Sequence, residues 1–178
     1  MTVCYDVILE YVNNKKVLDI GSCANQGSKN KSKTLFNEIK KRARIVVGVD
    51  IEGDGVEIIQ GNAEVISLKE TFDIVIAGDV IEHLHNPGLF LDNMHRHLEK
   101  DGLIIVVTPN VRSIGHLLTK LNKYHTCWYC QGTLKYLVEQ HNFKVERMIF
   151  GLRRRTNMVK DMAKYLIANH LCFICRKV

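Results

Sequence analysis

No apolar run in this sequence approaches the roughly 20 residues that a membrane-spanning helix needs. The opening Met1-Thr2-Val3-Cys4-Tyr5-Asp6 lacks the basic-then-apolar profile of a secretion signal, so the expected location is the cytoplasm. Internal repeats, low-complexity tracts, linkers and an appended nucleic-acid module are all missing. What remains is one domain over residues 1–178, long enough for a full-sized core. Its 46% hydrophobic and 25% charged content suits a globular chain rather than a disordered one.

Glycine and proline are also absent within two cysteine pairs, Cys127-Trp128-Tyr129-Cys130 and Cys172-Phe173-Ile174-Cys175. Two C-x-x-C pairs can build a four-cysteine zinc site, but zinc knuckles usually need those turn residues. The second pair sits in an apolar run that reads as a strand, where residues i and i+3 face opposite ways. Buried free thiols are the expectation, and a disulfide framework is not. The net charge of +6, with pI ≈ 9.0, gathers in Lys29–Lys33, Lys40–Arg44 and Arg153–Arg155. Such clusters suit nucleic acid, an anionic surface or a phosphorylated substrate; a solvated helix face and loop is the competing reading.

What is present is organised around Lys16 to Asp50. Val17–Ile20 is a short apolar run closed by Gly21, the pattern of a buried parallel strand. Ser22–Asn30 is polar and holds Gly27, so its backbone can turn tightly. Lys31–Arg44 carries Leu35, Ile39 and Ala43 on one helical stripe, and Ile45–Val49 is a second buried strand ending in Asp50. In such units a ligand lies beyond the carboxyl ends of the strands, and the terminal acid can take both ribose hydroxyls.

The rest alternates in the same way. The spacing predicts a leading helix over Tyr5–Val12 and strands over Val56–Ile59, Ile74–Ala77 and Leu103–Val107. Pro87 opens a helix striped by Leu89, Phe90, Met94 and Leu98. Beyond Pro109, helices are expected over 114–121, 133–141 and near 158–168, with last strands over 143–150 and 171–176. The expected architecture is α/β: a Rossmann-like, seven-stranded, mostly parallel sheet with helices on both faces.

Six stretches in order carry a resemblance: Val17-Leu18-Asp19-Ile20-Gly21, Val47-Gly48-Val49-Asp50-Ile51, Gly61-Asn62-Ala63-Glu64, Phe72-Asp73-Ile74-Val75, Val80-Ile81-Glu82-His83-Leu84 and Gly102–Asn110. Together they resemble the class I S-adenosylmethionine-dependent methyltransferases, in the branch with E-H-L after the fourth strand and T-P-N after the fifth. The resemblance spans about residues 15 to 150. It implies S-adenosylmethionine as cofactor, held by Asp19, Gly21, Ser22, Gly27, Asp50, Ile51, Asn62, Ala63, Gly78 and Asp79. Asp19 would organise the methionine end, Asp50 the ribose diol, and Asn62 with Ala63 the adenine. The glycine loop departs from the family: Cys23 and Asn25 stand where glycines are usual. That departure, with no G-x-G-x-x-G, also speaks against a nicotinamide dehydrogenase.

Methyl transfer needs a nucleophile held near the sulfonium and a group to take its proton. His83, Glu82 and His125 are the expected catalytic residues. Asp79, Glu82 and His83 at i, i+3 and i+4 would share one side of a helical turn, where with His125 they could hold Mg²⁺ or Mn²⁺. Metal-dependent relatives share E-x-x-E-H, while many E-H-L relatives use none, and no metal is the expectation. Substrate choice is assigned to residues 111–132, which carry Tyr124, His125, Trp128 and Tyr129; a hydrophobic cover is the alternative. The favoured reaction is O-methylation of a small hydroxylated molecule, such as a sugar, glycan precursor or phenolic metabolite. The alternatives are RNA 2′-O-methylation and a non-catalytic nucleotide-binding scaffold. Oligomeric state is not legible.

Overall fold

The computed structural model describes residues 3–23, 35–117, 122–151 and 168–178. Elements alternate as the apolar pattern requires. Helix α1 (Val3–Tyr11) precedes β1 (Lys16–Ile20), α2 (Leu35–Lys40), β2 (Ile45–Asp50), β3 (Ile58–Gln60) and β4 (Phe72–Gly78). A 3₁₀ turn (Ile81–His83) leads to α3 (Pro87–His97), β5 (Leu98–Pro109), α4 (Ile114–Leu117), α5 (Gln131–Gln140), β6 (Phe143–Gly151) and β7 (His170–Lys177). Pro87 fills the first turn of α3, and the Asn86 side chain accepts from Leu89 N–H as its cap.

The strands form one sheet in the order β3-β2-β1-β4-β5-β7-β6. Pairings from β3 to β5 are parallel, and β7 runs antiparallel to both β5 and β6. This is the expected mostly parallel, Rossmann-like sheet. Its period-two alternation splits the core cleanly. Leu18, Val75, Ile104 and Cys175 lie in register on one face, packed with Phe90, Met94, Leu134 and Val138 of α3 and α5. Val17, Ile74, Ile105 and Ile174 face the other way, against Val7, Ile8 and Ile39 of α1 and α2. Cys172 and Cys175 fall on opposite faces, as three-residue spacing in a strand dictates, and all six cysteines are free.

Several boundaries move. Ile58–Gln60 replaces the expected 56–59, because Asp54 Oδ1 accepts from Val56, Glu57 and Ile58 N–H and keeps that segment in a turn. β5 begins at Leu98 rather than Leu103, through a further pairing of Phe72 with Leu98. Gly27, the Lys29–Lys33 and Arg153–Arg155 clusters and most of the helix expected over 158–168 lie outside the described residues. Among the described residues no helix is long and apolar enough to cross a membrane.

Candidate active site

The carboxyl ends of β1, β2 and β4 open into one cleft of about 910 Å³. It is lined by Asp19, Gly21, Ser22, Asp50, Ile51, Asn62, Ala63, Gly78 and Asp79, so nine of the ten residues expected from sequence meet there. Gly27, the tenth, lies outside the described residues. Its other walls include Tyr5 of α1, Phe36 of α2, Glu64, Val80, His83, Leu84 and His85.

Local chemistry explains each placement. Gly21 has φ +75, a left-handed backbone that L side chains rarely adopt, and a Cβ there would lie 2.5 Å from Val80 Cγ2. Gly48 permits a second close approach, since its Cβ would meet Ser22 Oγ at 2.8 Å. Ser22 Oγ donates to the Asp19 carbonyl at 2.6 Å and closes the turn after β1. The Asp50 carboxylate ties two segments together, accepting Cys23 N–H at 2.9 Å and Glu52 N–H at 3.0 Å. Those contacts use one lone pair on each oxygen and leave another for a diol.

Asn62 Oδ1 accepts from Glu64 N–H at 2.9 Å, which leaves the side-chain NH₂ as a donor. The loop behind it hangs on a residue the sequence reading missed. Buried Asn93 donates to the carbonyls of Ala63 and Ile66 at 3.0 and 2.9 Å. His97 is buried too. Its Nε2 accepts Leu68 N–H at 2.9 Å, so Nδ1 carries the proton and donates to the Asn93 carbonyl at 2.8 Å.

The electrostatics are those of buried acids. Burial pushes the Asp19 carboxyl up to about 7, opposed by the Ser22 hydroxyl and reinforced by Asp50. Burial likewise pushes Glu82 up to about 7, opposed by its backbone hydrogen bond and by Thr108, and reinforced by Asp79. The Thr108 hydroxyl donates to Glu82 Oε2 at 2.8 Å.

Glu82, His83 and His125 come together, with donor atoms within 4.8 Å of one another. Residues 124–127 are stapled to the 3₁₀ turn: Thr126 N–H and Cys127 N–H donate to the Glu82 carbonyl, and Thr126 Oγ1 to that of Leu84. His83 Nδ1 lies 3.1 Å from the Tyr124 carbonyl, so it donates there and Nε2 is left for a ligand. Trp128 packs on the His125 ring, with centroids 4.8 Å apart.

Asp79 does not join this set. The expected helical turn from Asp79 is broken because Asp79 itself sits at φ 56 and the 3₁₀ turn begins at Ile81. Its carboxylate instead meets Tyr5 Oη at 3.3 Å and His170 Nε2 at 3.6 Å. Tyr5 and His170 carried no sequence signal beyond their residue type, because both reach Asp79 only through the fold.

A family model described as a methyltransferase domain matches residues 9–147. The ubiquinone biosynthesis O-methyltransferase of Rickettsia canadensis is 25% identical over 118 residues, covering 62% of this chain and 50% of that relative. The chain spans about half the length of the curated relatives it matches. A Clostridium acetobutylicum S-adenosylmethionine-dependent methyltransferase superposes with TM-score 0.69 at 8% identity, covering 98% of this chain and 90% of that one. The Burkholderia thailandensis 1,6-didemethyltoxoflavin-N1-methyltransferase, solved with its substrate and S-adenosylhomocysteine, superposes with TM-score 0.69 at 15% identity, covering 98% and 76%. At these identities the structures speak for the fold alone.

Proposed function

This chain belongs to the methyltransferase domain family, and from that premise we propose that it transfers a methyl group from S-adenosylmethionine to the oxygen of a small hydroxylated acceptor. A sugar, a glycan precursor or a phenolic metabolite fits that class. One observation carries the reading: nine residues expected to hold the cofactor line one cleft of about 910 Å³ at the strand ends. That volume is within the range of sites that enclose such ligands. Asp50 takes the ribose diol through its free lone pairs, and the Asn62 NH₂ with the small Ala63 accommodates the adenine. Buried Asp19 faces the methionine end, where an ammonium offsets the cost of ionising it.

Transfer is an in-line displacement, in which the acceptor oxygen takes the methyl and sulfur leaves as a neutral thioether. Alignment supplies much of the rate, and a proton acceptor supplies the rest. His83, which lines the cleft, offers its Nε2 to take the proton, and buried Glu82, with its carboxyl raised to about 7, and His125 stand beside it. The proximity of those three donors supports a second reading in which they hold Mg²⁺ or Mn²⁺, a Lewis acid for the acceptor oxygen, without Asp79. Six free thiols fit a reducing compartment such as the cytoplasm.

The test is methyl uptake from labelled cofactor into a panel of phenols and sugars, with and without Mn²⁺ or chelator. Uptake confined to O–H acceptors supports the reading. Uptake by mixed short RNAs, with binding lost between ~50 and ~200 mM salt, supports the RNA alternative instead.

A further inference from the structure

Glu64 is a buried acid in the wall of the cleft, next in the chain to the Asn62 and Ala63 assigned to the adenine. Its backbone and its side chain hold different things. The Glu64 N–H donates to Asn62 Oδ1 at 2.9 Å, and Glu64 Oε1 accepts the Asn86 N–H at 2.8 Å. Among the described residues the second bond is the one hydrogen bond between the 61–66 loop and the segment 82–86. Asn86 stands at the start of α3, which its side chain caps, three residues past His83. From the middle of the same helix, Asn93 returns two hydrogen bonds to the loop, at the carbonyls of Ala63 and Ile66. Loop and helix therefore close a ring, and Glu64 is the member that draws the residues after His83 into it.

The other end of that segment is held as well. Thr126 N–H and Cys127 N–H donate to the Glu82 carbonyl at 2.8 and 3.1 Å, and the His83 and His125 rings meet edge to face with centroids 4.7 Å apart. None of residues 122–128 lines the cleft, so a ligand confined to it reaches them only through their neighbours. Coupling between separated groups needs an unbroken chain of physical contacts. Here the chain runs from the adenine loop through Glu64 and Asn86 to His83, and on to residues 124–127. We infer that Glu64 is a positioning residue for methyl transfer: a cofactor that fills the adenine side holds the 61–66 loop, and the Glu64–Asn86 bond carries that restraint to His83 and residues 124–127. The side chain acts by accepting a backbone N–H, so glutamine can replace it and an apolar residue cannot. This rests on the reading of the cleft as the cofactor site.

Amide hydrogen exchange with S-adenosylhomocysteine tests it without knowledge of the acceptor. In the wild type, ligand at ~100-fold above its Kd should slow exchange over residues 62–66, and also at Thr126 and Cys127 by about 10-fold or more; complete coupling would give ~100-fold. In Glu64→Met, at equal saturation, residues 62–66 should still be slowed while Thr126 and Cys127 exchange as in the free protein. Glu64→Gln, which keeps the acceptor, should restore their protection, a rescue that a general loss of packing would not show. Glu64→Ala serves as the second variant should the methionine disturb the fold. Absence of slowing at Thr126 and Cys127 in the wild type, or slowing that survives the loss of the acceptor, overturns the proposal. If S-adenosylhomocysteine at millimolar concentration leaves residues 62–66 of the wild type unprotected, the cofactor reading beneath it fails instead.

Discussion

The hydroxyl of Thr108, at the end of β5, donates to the buried carboxylate of Glu82 across 2.8 Å. This bond joins the two motifs that follow neighbouring strands, and it fixes the carboxylate that stands beside His83 and His125.

Thr108→Val keeps the shape and removes the donor. The buried acceptor left behind should cost about 1–3 kcal/mol. Urea unfolding should show a lower midpoint with an unchanged slope, while Thr108→Ser should stay near wild type.

The raised Glu82 carboxyl makes stability depend on pH. Its folded pKa of about 7 exceeds the ordinary carboxylate value, so between roughly pH 4.5 and 7 the folded state binds more protons than the unfolded state. Stability from this group is therefore greatest below that window and falls as pH rises through it, by at most about 1.4 kcal/mol per pH unit. Glu82→Gln should flatten the curve relative to wild type across that window. Identical pH slopes for the two proteins would show that Glu82 ionises as an ordinary exposed acid.

Gly21→Ala combines two faults, a left-handed backbone and a Cβ 2.5 Å from Val80 Cγ2. The backbone alone should cost about 1–2 kcal/mol. Adding Val80→Ala should recover the clash but not the backbone cost, which thermal unfolding of the single and double variants can separate.

The sheet was legible because its central strands are continuous apolar runs whose alternate residues face different helices. Leu18 and Val17, or Cys175 and Cys172, could be assigned to faces from spacing alone. Nine of the residues expected to hold the cofactor meet in one cleft because each stands at or just past a strand end, where the topology fixes the location before any side chain is considered. Asp79 was misplaced because nothing in its neighbours announces a positive φ in a non-glycine residue, and one such residue redirects the carboxylate from Glu82 towards Tyr5. Asn93 and His97 were missed because their partners lie about 30 residues upstream in a loop. A polar residue on a helix reads as surface until the loop that covers it is known.

The central claim is that this cleft binds S-adenosylmethionine with Asp50 on the ribose. Titration calorimetry with S-adenosylhomocysteine tests it most directly. Wild type should bind at one site, and Asp50→Ala should bind ~30-fold more weakly, the loss of about 2 kcal/mol of charge-assisted hydrogen bonding. No detectable binding by the wild type at millimolar ligand, or equal binding by both proteins, would contradict it.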